Sequence, residues 1–207
     1  MHYFTPEDKP FGLTYGNWTT KWWQWLLSKP KKENPAIDET GRNASVGQEY
    51  EKIWFLAGTF VNMDVPTRKV TIPVGKAILF PTICYQANFL EDPIFKNEAE
   101  LANHVKNDID DIIVHESFVD DIQVPAFRVG SDPTLFSLTL ASDIPHGVDG
   151  VDTGATISII AGPTKAVSDG FWTFLKPLSP GSHQIHFKGS CSGGKRKTEA
   201  FYALEII

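Results

Sequence analysis

Residues 17–28 read Asn-Trp-Thr-Thr-Lys-Trp-Trp-Gln-Trp-Leu-Leu-Ser and hold four of the six tryptophans of the 207-residue chain. Asn17 is a favourable N-cap, and Lys29-Pro30 ends the segment because the residue before a proline avoids the α region. When the segment is wound at about 100° per residue, its apolar side chains cover an arc of roughly 200°. Such a broad arc predicts a helix buried against this chain or a sister subunit. Three of its rings are expected to be buried: Trp18, Trp22 and Trp25.

After this helix, the hydrophobic pattern changes to the period of β-strands. Ile53–Val61 and Lys76–Pro81 are apolar on both faces, which is typical of strands covered on both sides. The remaining predicted strands are Arg68–Val74, Ile122–Val129, Thr134–Leu140, Thr156–Ala161, Phe171–Lys176, His183–Lys188 and Thr198–Ile207. The turn Ser179-Pro180-Gly181-Ser182 predicts that Phe171–Lys176 and His183–Lys188 form a hairpin.

A second helix is predicted from about residue 97 to residue 115, after a loop that begins at Cys84. Asn97 is its cap and Glu100 the capping-box partner, and the apolar side chains recur at helical spacing. With about nine strands and no βαβ alternation, the pattern predicts a mainly β, single-domain antiparallel β-sandwich, jelly-roll or Ig-like. The domain is expected to span residues 1–207, with both helices covering its sheets. Residues 1–48 supply a lead-in, the tryptophan helix and a packed loop.

The composition excludes some function classes. The net charge is -6, from 25 acidic and 19 basic residues, and no basic stripe marks a nucleic-acid interface. No apolar run reaches the roughly 18 residues of a membrane-spanning helix. The N-terminus lacks the apolar core of a signal peptide, so a cytoplasmic location is expected by default, although an exported form stays open. Cys84 and Cys191 are accordingly predicted to be free thiols.

Common catalytic motifs are absent from the sequence. It contains no Gly-x-Ser-x-Gly, Walker loop, dinucleotide fingerprint, His-Glu-x-x-His or Cys-x-x-Cys, which disfavours an enzyme, and no cofactor is predicted. His183 and His186 lie three apart on a strand, so they point to opposite faces and are a poor metal pair. The acidic turn with Asp143, Asp149 and Asp152 lacks the ligand spacing of an EF-hand.

Two histidines and two aspartates form a candidate metal-binding group on the second predicted helix. It comprises His104, Asp108, Asp111 and His115. His104–Asp108 and Asp111–His115 are i,i+4 pairs, a spacing that can share a cation or form charge-assisted hydrogen bonds. The outer histidines would be about 16 Å apart along a helix, too far to share one ion. A solvated helix edge without a metal is therefore the favoured interpretation.

Several short motifs resemble those of a group of uncharacterised small prokaryotic proteins. These have a tryptophan-rich N-terminal helix followed by a β-sandwich, and no assigned activity. The matching segments are residues 22–26, 54–59, 72–77, 80–81, 168–172, 180–183 and 185–187. The resemblance implies the sandwich fold and supplies no catalytic residues.

These observations favour a non-catalytic binding or interaction module. Its partner would be a small molecule, a carbohydrate or a protein, and a homo-oligomer is also compatible with the sequence. One alternative is a metal-dependent enzyme or metal-binding protein that uses Asp and His residues. Another is a peripheral membrane protein held by the tryptophan helix, although Lys21 is the only charge on its polar strip. A flat aromatic patch would favour binding, whereas a deep polar pocket would favour an enzyme.

Overall fold

The structure is a computed structural model that describes residues 3–60, 63–143, 161–191, 193–194 and 196–207. Within these ranges the chain is mainly β, with two α-helices and ten strands. The helices are α1 (Tyr15–Leu27) and α2 (Glu98–Asp110). The strands are β1 (Ile53–Phe55), β2 (Thr67–Ile72), β3 (Ala77–Asn88), β4 (Ile112–Val119), β5 (Ile122–Val124), β6 (Phe127–Arg128), β7 (Phe136–Leu140), β8 (Gly162–Leu175), β9 (Gly181–Cys191) and β10 (Lys197–Ile206).

The strands form two sheets. Sheet A has the order β1-β3-β8-β6, with β7 also paired to β8, and sheet B has the order β2-β10-β9-β4-β5. Two pairs are parallel, β1 with β3 and β2 with β10, so the prediction of a wholly antiparallel architecture is wrong. The chain leaves sheet A after β1, forms β2 in sheet B and returns as β3. A detour of this kind, unlike a tight hairpin, allows the returning strand to run in the same direction.

Sheet A is covered on both faces. Ile78 and Phe80 of β3 meet side chains of sheet B, and the Phe80 ring stacks on Phe187 of β9 at 4.8 Å. On the other face, Leu79 of β3 and Trp172 of β8 pack against α1. This arrangement explains why Ile53–Phe55 and the start of β3 are apolar on both faces, as predicted.

The tryptophan helix is buried, as predicted. Trp18, Trp22 and Trp25 are only 5%, 2% and 5% exposed. Their indole N–H groups donate to the carbonyls of Pro10, Leu56 and Val46 at 2.8, 2.9 and 2.8 Å. Each bond fixes the helix to a different segment of chain, and together they satisfy the polar edges of the buried rings. The rings required by the membrane alternative therefore face the protein interior.

The start of α1 differs from the prediction. The helix begins at Tyr15, and Thr14 rather than Asn17 is its N-cap. The Thr14 hydroxyl accepts from the Asn17 N–H at 3.1 Å, and the Asn17 side chain accepts from the Thr14 N–H at 3.1 Å. Asn17 is therefore the third residue of the helix and the second partner of a reciprocal capping box.

The end of the second helix was predicted wrongly. Asn97 does cap α2, since its side chain accepts from the Glu100 N–H at 3.1 Å. However, the helix stops at Asp110, and Ile112–Val119 is strand β4 rather than a continuation to residue 115. The run Ile112-Ile113-Val114 is β-branched and suits a strand better than a helix, although its spacing also fits the apolar helix pattern.

The position of α2 also differs from the prediction. Strand β3 continues through the expected loop to Asn88, so β3 and β8 extend past the edge of sheet B. Leu101 and Val105 of α2 pack there against Ala87 and Val167. Val167 and Thr173 are six residues apart on β8, so their side chains point to the same face of sheet A. The Thr173 hydroxyl lies 2.8 Å from the Ser117 hydroxyl of sheet B. Helix α2 and sheet B therefore share one face of sheet A.

Three strand predictions need correction or fall outside the described residues. β8 and β9 lie in different sheets, so the predicted hairpin between them is wrong; Pro177 and Pro180 mark a crossing between the sheets. Pro125 divides Ile122–Val129 into β5 and β6, which are edge strands of sheets B and A. The predicted strand Thr156–Ala161, up to its last residue, lies outside the described residues, as do Asp149 and Asp152 of the acidic turn.

A buried arginine connects the loop before β1 to sheet B. Arg68 of β2 is 1% exposed. Its guanidinium donates to the carbonyls of Asp38 and Ala57 at 2.6 Å each and of Ala36 at 3.1 Å. It also donates to the Tyr202 hydroxyl at 2.7 Å. The planar fork of arginine suits this set of carbonyl acceptors, and it holds the loop at the edge of the sheet.

Candidate functional site: the outer face of sheet B

The four residues of the predicted constellation are not brought together. His104 and Asp108 remain neighbours on α2, with Nε2 and Oδ2 3.8 Å apart. Asp108 lies closer to Arg196, at 2.8 Å, and the His104 ring lies 3.2 Å from the Tyr85 hydroxyl. Asp111 is the C-cap of α2. The prediction that Asp111 and His115 form an i,i+4 pair on one helix is therefore wrong.

His115 belongs to β4, and its ring stacks on Phe171 of sheet A at 3.9 Å. Among the residues that the structure describes, no group of three or more His, Cys, Asp and Glu side chains is arranged to hold a metal ion. The geometry thus gives the metal alternative no additional support.

A different group of side chains is assembled on the outer face of sheet B. The strand registers place Gln123, Phe118, His186, Phe201 and Thr67 side by side on five adjacent strands. We call Phe118, His186 and Phe201 the aromatic row. All three point away from sheet A because their strand neighbours Val119, Ile185 and Tyr202 are buried in the core between the sheets.

The rings of the aromatic row stand parallel to one another. The centroids of Phe118 and His186 are 5.8 Å apart with planes inclined by 17°, and those of His186 and Phe201 are 3.9 Å apart with planes inclined by 5°. His186 is thus covered on both ring faces, whereas Phe201 is covered on one. The free face of Phe201 points toward β2, where its register partner is the small residue Thr67. Phe201 is 40% exposed.

Charged and polar rows flank the aromatic row. On one side, Glu116, Lys188 and Glu199 lie in register on β4, β9 and β10. Lys188 Nζ lies 3.1 Å from Glu116, and His186 Nε2 lies 2.7 Å from Glu199. On the other side the register continues with Gln184, Ala203 and Lys69, then with Ser182, Glu205 and Thr71.

Two shallow grooves of about 530 and 540 Å³ run over this surface. The first contains Asp120, His183, Ser182 and Glu205, and the second contains the aromatic row with Thr67 and Lys188. Both include Asp121, Gln184 and Ala203, so the grooves adjoin one another. The whole is an open, mixed-polarity surface rather than a deep pocket.

His183 stands at one end of this surface, between two acceptors. Its Nδ1 lies 2.7 Å from the Asp120 carboxylate, and its Nε2 lies 3.0 Å from the carbonyl and 3.3 Å from the hydroxyl of Ser179. The protonated ring donates from Nε2 to the Ser179 carbonyl, whereas the neutral ring can accept there from the Ser179 hydroxyl. The hydrogen bond to Asp120 raises the pKa of His183 above its ordinary value. The residue types match a Ser-His-Asp triad, but Nε2 lies closer to the Ser179 carbonyl than to the hydroxyl that would act as the nucleophile.

No known protein family matches this chain, and no curated protein and no solved structure matches it either. The resemblance to uncharacterised prokaryotic proteins stays a prediction, and no functional residue is transferred from a relative. Among the described residues, no helix has the length and apolar character needed to cross a membrane.

Neither the aromatic row nor the contact between Asp120 and His183 was predicted from the sequence. Phe118, His186 and Phe201 come from three separate strands, and nothing local indicates that they pair. Asp120 and His183 are 63 residues apart. The one local signal was strand parity, which placed His186 on the outer face.

Proposed function

We propose that this protein is a non-catalytic binding module and that the outer face of sheet B is its binding face. The observation that supports this most directly is the aromatic row, with Phe201 40% exposed on an open sheet. Aromatic side chains are enriched at binding interfaces because they bury a large area with few rotatable bonds. An open surface with an exposed aromatic ring supports a binding protein more than an enzyme with a deep polar pocket.

The rigidity of this face also supports the proposal. Inward side chains of sheet B share a core with sheet A, and α1 covers the far side of sheet A. A preorganised surface loses little conformational entropy when a ligand binds. The proposal includes a single sandwich domain of jelly-roll or Ig-like type over residues 1–207, in which both helices support the sheet opposite the binding face.

The chemistry of the grooves favours binding over catalysis. A hydrolase of the Ser-His-Asp type needs a neutral imidazole that accepts the serine proton. His183 Nε2 lies closer to the Ser179 carbonyl, at 3.0 Å, than to the hydroxyl, at 3.3 Å. The hydrogen bond to Asp120 also raises the pKa of His183, which favours the protonated ring that cannot accept a serine proton. We therefore propose that His183 has a structural role at the edge of the first groove.

Chemical-shift mapping by NMR tests the location of the binding face. A library of metabolites, oligosaccharides and short peptides is titrated into labelled protein, and shifts are expected at Gln184, His186 and Phe201. Phe201→Ser should abolish them. Phe11→Ser is a matched control, since Phe11 is 42% exposed but lies near α1. Ligand shifts confined to other surfaces, or equal losses in the two variants, would contradict the proposal.

A further inference from the structure

The free ring face of Phe201 borders an open slot above Thr67. His186 covers one face of the Phe201 ring at 3.9 Å, so the opposite face looks along the sheet toward β2. The side chain in register there is Thr67, which is exposed and too short to cover the ring. Both residues line the second groove. A flat group placed over Thr67 would therefore stack on Phe201.

The polar side chains around this slot can both donate and accept hydrogen bonds. Gln184 and Lys188 lie on one neighbouring strand, and Lys69 follows Thr67 on the same face of β2. The amide of Gln184 and the hydroxyl of Thr67 each provide a donor and an acceptor. This mixture suits a ligand that carries many hydroxyl groups.

The charges of the surface argue for a neutral ligand. Asp120, Asp121 and Glu205 line the first groove beside Lys69, while Lys188 and Asp121 line the second. A polyanion would meet the carboxylates of Asp121 and Glu205, and a polycation would meet the two lysines. Juxtaposed like charges disfavour binding of either kind of polymer.

We propose that the slot binds a neutral carbohydrate, with one sugar ring stacked on Phe201 above Thr67. This inference rests on the proposed function and names the ligand class of the same face. The C–H groups on one face of a pyranose ring carry slight positive charge and fit the negative face of an aromatic ring. The hydroxyl groups then reach Gln184, Thr67 and Lys69. Because the two grooves adjoin through Gln184 and Ala203, further sugar units extend into the first groove.

Calorimetry with neutral oligosaccharides tests this proposal. The probes are gluco-, xylo-, manno- and galacto-oligosaccharides, from disaccharides to hexasaccharides. We expect at least one series to bind, with affinity rising with length, and Phe201→Ser to weaken binding by at least about tenfold. Phe201→Trp should retain binding because it keeps the stacking face, and Phe11→Ser should have no effect.

A second variant tests the slot without removing its aromatic wall. Thr67→Phe places a ring against the free face of Phe201 and should abolish binding while the fold, checked by circular dichroism, is unchanged. Binding that survives Thr67→Phe would overturn the assignment of the slot. Failure of every neutral oligosaccharide to bind would overturn the ligand class, as would preference for charged polysaccharides.

The two proposals fail in different ways. If a peptide shifts Phe201 and its neighbours but no oligosaccharide does, the binding face stands and the carbohydrate is wrong. If sedimentation shows a concentration-dependent dimer that Phe201→Ser disrupts, the occupant is a second copy and the carbohydrate is again wrong. If oligosaccharides bind but change NMR chemical shifts only at residues outside sheet B, both proposals are contradicted.

Discussion

The Asp120 carboxylate accepts from Nδ1 of His183 at 2.7 Å and thereby joins the β4–β5 turn to the first residues of β9. On the other side of the ring, Nε2 donates to the Ser179 carbonyl at 3.0 Å. The protonated ring thus links three segments at one end of sheet B. Asp120 also accepts from the Gln184 N–H at 2.8 Å, so the same carboxylate positions a residue of the binding face.

This link makes stability depend on pH. The hydrogen bond that His183 donates to Asp120 raises the pKa of His183, with smaller contributions from the Ser179 carbonyl and Glu205, while partial burial opposes them. A raised pKa in the folded state means that the stabilisation is fully present below the unfolded pKa of about 6.5 and is lost as pH rises through the folded pKa. His183→Gln should therefore destabilise the protein at mildly acidic pH by at most about 1 kcal/mol, since exposed partners are screened.

Urea unfolding of wild type and His183→Gln across this pH range measures the difference. The two curves should converge at alkaline pH, and Asp120→Asn should lower stability in the same pH window. In the double variant the losses should not add, because both substitutions remove one interaction. A difference between the proteins that is constant with pH would show that His183 contributes by packing alone.

The central tryptophan of α1 should be the most costly to truncate. Trp22 is 2% exposed, packs against Trp23 and Trp172 and donates to the Leu56 carbonyl. Trp22→Ala should lower the free energy of unfolding by about 3–5 kcal/mol, measured by urea denaturation. Lys21→Ala, the preceding residue on the polar side of the helix, should cost less than about 1 kcal/mol. Similar losses for both would mean that α1 is not held by its tryptophans.

Arg68 should not tolerate exchange for lysine. Lysine keeps the charge but has a single nitrogen, which cannot reach the separated carbonyls of Ala36 and Asp38 together, so at least one of them would lose its donor. The Ala57 carbonyl would still accept from the Tyr202 hydroxyl. Arg68→Lys should cost about 1–3 kcal/mol, the usual cost of one unsatisfied buried group. Lys69→Arg is the matched control, because Lys69 is exposed on the opposite face of β2. A stable Arg68→Lys protein would show that the loop is held by other contacts.

Both cysteines should titrate as thiols only after unfolding. Cys84 packs on the α1 side of sheet A, whereas Cys191 has the inward parity of Ile185 and Phe187 in sheet B, and both are free. Burial raises the pKa of Cys84, which disfavours the reactive thiolate. An Ellman titration should find slow reaction of the native protein and two thiols per chain in denaturant without reductant. Recovery of no thiol would demonstrate a bridge.

The sequence predicted those elements whose signal is local. The tryptophan arc of α1 and the Asn97 cap of α2 can be read from neighbouring residues, and the structure confirms both. The run from Ile112 to Val114 was wrongly assigned to the second helix, because its spacing fits the apolar side of α2 although its β-branching fits a strand. The turn at Pro180-Gly181 indicated a change of direction but not which sheet the chain would enter.

The candidate site depends on contacts between distant residues, and that is why it was missed. Phe201 faces Thr67 because β10 and β2, which are about 130 residues apart in the sequence, pair in this register. Arg68 likewise meets Tyr202 across 134 residues. His115 illustrates the opposite error, since a helical spacing was assigned to a residue that belongs to a strand.

The loop that Arg68 anchors also determines how sheet B can meet another chain. β2 is the edge of that sheet, and an exposed edge would template the addition of a strand from another molecule. Instead, the Lys69 N–H donates to the Thr40 carbonyl at 2.9 Å, so at this residue the loop takes the place that an incoming strand would occupy. At the opposite edge, β5 offers only three residues. The middle of the β2 edge is thereby closed to an added strand, and recognition at the outer face of sheet B falls to side chains rather than to the backbone.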